Sequence, residues 1–99
     1  MKTIISTPKA PSAIGPYNQA TAFDKLIFTS GQIALDPITM EIVQGGVKEQ
    51  TFQVMENLKA VLEEAGSSFE NVLKTTCYLS DMDNFVAFNE VYGKYFNAE

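Results

Sequence analysis

The hydrophobic pattern of this chain first changes period at Gly45-Gly46. Before that pair, apolar residues sit among β-branched and aromatic ones in short runs broken by Pro, Gly and Asp. After it, they recur at steps of three and four. In the first half, Leu26-Ile27-Phe28-Thr29-Ser30-Gly31-Gln32 predicts a strand leaving an Asp24-Lys25 turn. Successive side chains point to opposite faces, so Ile27, Thr29 and Gly31 share one face and Leu26, Phe28, Ser30 and Gln32 the other. Residues 18–23 pair with this strand as a hairpin. Residues 3–6 are a further short strand, and 33–35 with 41–43 make a second hairpin arm around Asp36-Pro37. Pro8, Pro11 and the Gly15-Pro16 breaker keep 7–16 irregular and deliver Tyr17 to the start of the hairpin.

In the second half, Val54, Met55, Leu58, Val61, Leu62 and Ala65 form one stripe of a helix over 47–65. Glu49 lies in its first turn and Gly66 stops it. Residues 72–79 predict an inner strand, apolar on both faces, with Cys77 a packed small hydrophobe. Ser80-Asp81-Met82-Asp83 opens a second helix, capped by Ser80 or Asp81, whose buried stripe is Phe85, Phe88, Tyr92, Tyr95 and Phe96. Asn89 falls one residue off that stripe, where an amide is solvated or locally bonded more often than it holds a ligand. Strands, helix, strand, helix in this order predict an α+β sandwich, its two amphipathic helices on one side of an antiparallel-rich mixed sheet.

Composition narrows the chemistry. The chain has 99 residues, a net charge of -5, no histidine, one cysteine and seven lysines as its only basic side chains. One domain is expected from that length. Without histidine there is no Ser-His-Asp triad, Cys-His pair or ordinary zinc site. Scattered lysines against twelve acids make no basic patch, which argues against a nucleic-acid partner. No apolar run approaches the ~20 residues that span a bilayer, so no membrane partner is expected, and the N-terminus lacks the apolar run of a signal peptide. A lone cysteine suits a reducing, cytoplasmic setting. The one local feature that suggests a ligand is Ser30-Gly31, a hydroxyl beside a glycine at the end of an apolar strand. The same pair also suits a simple strand end with a bulge.

Several segments together carry a resemblance. Ala13-Ile14-Gly15-Pro16-Tyr17, Phe28-Thr29-Ser30-Gly31-Gln32-Ile33, Val72-Leu73-Lys74-Thr75-Thr76-Cys77-Tyr78-Leu79, Asp83-Asn84-Phe85 and Asn89-Glu90-Val91-Tyr92 occur in the order seen in the RidA (YjgF/YER057c/UK114) family. The resemblance implies a chorismate-mutase-like α+β fold, assembled as a homotrimer around a central barrel with clefts between subunits. It implies hydrolysis of reactive 2-imino acids, such as 2-iminobutanoate and 2-iminopropanoate, to 2-oxo acids and ammonia, with no metal or organic cofactor. Tyr17 and Ser30 are then catalytic, and Gly31 and Asn89 contact the substrate.

Relatives of this pattern continue into further strands carrying an arginine that clamps the substrate carboxylate and a glutamate that positions water. Residues 1–99 are therefore expected to be one RidA-like domain that is C-terminally incomplete, with activity belonging to the full-length form. A non-catalytic, ligand-binding or regulatory trimer is the alternative. A ribonuclease or translation inhibitor is disfavoured by the acidic charge and the missing histidine.

Overall fold

A computed structural model describes residues 2–96. Residues 1 and 97–99 of the expected domain lie outside the described residues.

Strands β1 (Thr3–Ile5), β2 (Ala20–Phe23) and β3 (Leu26–Thr29) form an antiparallel sheet in the order β1-β2-β3. The hairpin register pairs Phe23 with Leu26, which leaves Asp24-Lys25 as a two-residue turn. Asp24 takes φ 57 there, a left-handed conformation that Asp tolerates better than most residues. The expected second hairpin arm reduces to one bridge, Leu35 with Ile42. Asp36 replaces the ladder, its Oδ1 accepting the N–H groups of Ile38 and Thr39 at 2.8 and 3.1 Å.

Helix α1 (Val47–Glu64) matches its periodicity. At its start the Glu49 carboxylate accepts the Gly46 N–H at 3.0 Å, satisfying a donor the helix cannot. At its end Gly66 has φ 79, and the Gly66 and Ser67 N–H groups return to the carbonyls of Glu63 and Leu62. That double return needs a left-handed residue at Gly66, which glycine adopts without a Cβ clash. Val61, fully buried, packs on Ile5, Ala10 and Ala20, so α1 covers one face of the sheet. The opposite face presents Ile4, Phe23, Leu26 and Phe28, all more than half exposed.

Helix α2 (Phe85–Tyr92) packs on α1 and is entered through a single 3-10 turn, Met82–Asn84. Asp81 caps that turn, accepting the Asp83 N–H at 2.9 Å, as the expected opening requires. The buried stripe is shifted from expectation. Val91 is the buried residue of α2, while Phe85 is 47% exposed. Phe88, Tyr92 and Phe96 instead stack in series, with ring centroids 4.9 to 5.0 Å apart, and Phe69 meets Phe96 and Tyr95 edge-on.

Three expectations are corrected. Residues 72–79 join no ladder, and Leu73 and Tyr78 are 89% and 91% exposed. Strand-forming side chains do not make a strand where no neighbouring backbone offers hydrogen bonds, and among the described residues none does. Consequently Cys77 is an exposed thiol, not a packed one. For the same reason the sheet of the described residues is antiparallel, not mixed.

Candidate functional site

The irregular 7–17 segment and the end of β3 are held against each other by buried amide groups, and a shallow cleft of about 140 Å³ opens between them. Such a volume exceeds the ~10–15 Å³ that a single water needs, so a small organic molecule fits at that scale. Ser12, Ile14 and Tyr17 form one wall and Gly31, Ile33 and Leu35 the other; Gln19, 4% exposed, lies between them.

Tyr17 reaches this wall through the Gly15-Pro16 corner. Its N–H returns to the Gly15 carbonyl at 2.8 Å, and its ring lies over Gly15, where a Cβ would stand 3.4 Å from Cε1. Tyr17 lines the cleft and is half exposed. Gly31 sits opposite. Its φ lies outside the left-handed region, and a Cβ built there meets nothing within 4 Å. The backbone therefore does not require glycine at this position; the missing side chain leaves room in the cleft.

Ser30 and Asn89 are placed differently. The Ser30 N–H donates to the Gln19 carbonyl at 2.9 Å, and its hydroxyl donates to the Asn18 carbonyl. Ser30 lines an adjoining, more open depression of about 210 Å³, with Asn18, Thr21 and Phe28. Asn89 is exposed on α2, lines neither depression, and contributes its main-chain carbonyl to the Gly93 N–H at 2.9 Å. Within one chain, then, Tyr17 and Gly31 share a cleft, Ser30 lies next door and Asn89 lies apart.

Two buried amides that pattern reading passed over shape this region. Gln19 accepts the Thr7 N–H at 2.6 Å and donates to the carbonyls of Thr7, Ala10 and Pro11 at 3.0, 3.3 and 2.8 Å. Asn57, 1% exposed on α1, donates to the carbonyls of Ile33 and Leu35 at 3.3 and 2.9 Å and accepts from Gln53. Asn57 carries a signal in the sequence: it stands three residues after Val54 and four before Val61, inside the apolar stripe. Gln19 falls in the expected 18–23 strand but just before β2, and has no comparable signal.

A small α+β chain with an uncharged cleft beside a hairpin end fits the class of small-ligand binding proteins. The sequence profile of the Endoribonuclease L-PSP family matches residues 7–99. A RutC family protein of Pyrococcus abyssi is 55% identical over 95 residues, covering 96% of this chain and 75% of the relative. The 2-iminobutanoate/2-iminopropanoate deaminase of Mus musculus is 49% identical over 98 residues, covering 99% of this chain and 73% of the relative. The crystal structure of RidA from an Antarctic Psychrobacter species superposes with a TM-score of 0.91 at 41% identity, covering 97% of this chain and 77% of that one. The chain belongs to the L-PSP endoribonuclease family, the RidA family.

Proposed function

We propose that the protein, in its full-length form, hydrolyses 2-imino acids such as 2-iminobutanoate and 2-iminopropanoate. Water adds to the imine carbon, the nitrogen gains protons, and the C–N bond breaks to leave a 2-oxo acid and ammonia. The observation that carries the proposal is the pairing of the Tyr17 phenol with the open space at Gly31 across one small cleft, in a chain 49% identical to a protein named as this deaminase. A phenol can donate to the imine nitrogen or hold the water that attacks. The space at Gly31 lets a small acid approach the backbone. Ser30 and Asn89 belong to the proposed site through assembly. The exposed apolar sheet face of Ile4, Phe23, Leu26 and Phe28 suits a neighbouring subunit, and a homotrimer would set the edge carrying Ser30 or Asn89 of one copy against the cleft of the next.

The direct test generates the imine in situ with a threonine dehydratase and follows 2-oxobutanoate release, with semicarbazide as a competing trap. Acceleration that scales with the full-length protein supports the proposal. A rate equal to the spontaneous one refutes it.

A further inference from the structure

We propose that Gln19 is a positioning residue for the cleft, setting the Tyr17 wall against the Gly31 wall; the kinetic part of this inference rests on the deaminase assignment. Gln19 is one residue bonded to both walls. Its side chain makes the four bonds that hold Thr7, Ala10 and Pro11, the root of the loop that leads to Tyr17. Its main-chain carbonyl takes the Ser30 N–H, so the strand end that leads into Gly31 is fixed to the same residue. The carboxamide is nearly saturated, with one acceptor bond and three donor contacts, in a site that excludes water. Few other side chains can replace it there. Carboxylates lack the donors, aliphatic side chains lack both functions, and Asn is one methylene too short. The β1-β2-β3 ladder does not use this carboxamide, and of the residues packed with Val61 it bonds Ala10 alone. Loss of the bonds therefore frees the 7–17 segment while the helix and sheet stay together.

Gln19 touches no reacting atom in this scheme. It acts through Tyr17, and that makes a distinctive test possible. In full-length protein, Gln19→Ala is expected to lower kcat/KM for the imino acid by about a hundredfold, mostly in kcat, because small misplacement of an orienting group is costly. In a Tyr17→Phe background, Gln19→Ala is expected to add less than about threefold, since the group it positions is already gone. The core variant Met55→Ala serves as the control for general destabilisation; it should lose stability and keep kcat and KM. Should Gln19→Ala fold poorly, Gln19→Glu, which keeps the shape and the Thr7 bond, is read in the same way.

A ligand-free measurement accompanies the kinetics. In NMR spectra Gln19→Ala is expected to shift the Tyr17 ring and Gly31 amide signals while the methyls of Val91, buried on α2 and outside the Val61 cluster, stay in place. Unmoved Tyr17 and Gly31 signals overturn the inference whether or not the protein is an imine hydrolase. So does a kinetic loss of full size in the Tyr17→Phe background. An inactive wild type refutes the deaminase assignment alone, and the NMR result then decides the positioning role by itself.

Discussion

The Asn57 amide on α1 donates to the Leu35 carbonyl at 2.9 Å, joining the longest helix to the segment that forms one wall of the cleft. The same amide reaches Ile33, and Gln53 occupies its acceptor at 2.8 Å. Asn57→Ala leaves the Leu35 carbonyl without this donor, while the Ile33 carbonyl keeps the Leu35 N–H at 2.8 Å. Loss of a buried hydrogen-bond partner costs about 1–3 kcal/mol. Denaturant unfolding of Asn57→Ala should show that loss at an unchanged slope, and Gln53→Ala should cost less, because Gln53 supports only the acceptor side. Equal stability of Asn57→Ala and wild type would show that this wall is held by other means.

Gly31 separates space for the fold from space for a ligand. A Cβ there meets nothing within 4 Å, and its φ is one that any residue adopts. Gly31→Val should therefore fold with a melting temperature at or slightly above that of wild type, since the unfolded chain loses freedom. The same methyl groups occupy the cleft opposite Tyr17, so turnover of 2-iminobutanoate should fall at least tenfold, mainly through KM. A stable and fully active Gly31→Val would move the substrate elsewhere.

Tyr17 and Ser30 differ in what their hydroxyls already do. The Ser30 hydroxyl is engaged with the Asn18 carbonyl, whereas Tyr17 is a half-exposed residue lining the cleft. Tyr17→Phe removes a hydrogen bond without changing shape and should cost kcat about 10²-fold, the lower end of what a positioned proton donor contributes. Ser30→Ala should cost both activity and about 1 kcal/mol of stability, the net worth of one intramolecular hydrogen bond. Neither variant should dissociate the proposed homotrimer, which size-exclusion chromatography with light scattering would check. Unchanged rates in both would remove the pair from the chemistry.

Local chemistry made parts of this fold legible in the sequence. The helix over 47–65 was readable because its stripe, its acidic first turn and its glycine stop agree, and α1 ends one residue before the expected limit. The β2-β3 hairpin was readable from β-branched residues flanking an Asp-containing turn. Residues 72–79 were misread because side-chain pattern reports strand propensity, while a strand also needs a backbone partner. Gln19 and Asn57 were passed over because polar residues are assigned to solvent by default, and only their bonding partners, remote in sequence, show why they are buried. Tyr17, Ser30, Gly31 and Asn89 were assigned to a cleft by the resemblance; strand chemistry alone favoured an ordinary strand end for Ser30-Gly31.

The junction of α1 with the chain after α2 predicts an alkaline pH effect of known sign. The Tyr95 hydroxyl donates to the Glu56 carboxylate at 2.8 Å. Partial burial, and then that bond and the neighbouring negative charge, push the phenol from 10.0 up to about 12. A raised value in the folded state means that the folded chain holds the proton more tightly than the unfolded chain. The contribution is complete below pH 10, falls as the unfolded state ionises first, and is gone once the folded phenol ionises near pH 12. Solvent screening keeps the effect modest, because Tyr95 is only partly covered. Tyr95→Phe retains the ring that meets Phe69 edge-on at 5.3 Å and removes only the titrating bond. Wild type should therefore melt higher than Tyr95→Phe at pH 8, with the gap closing between pH 10 and about 12. A gap that stays constant across that range would show that the Tyr95–Glu56 bond does not govern alkaline stability, whatever the packing of the rings contributes.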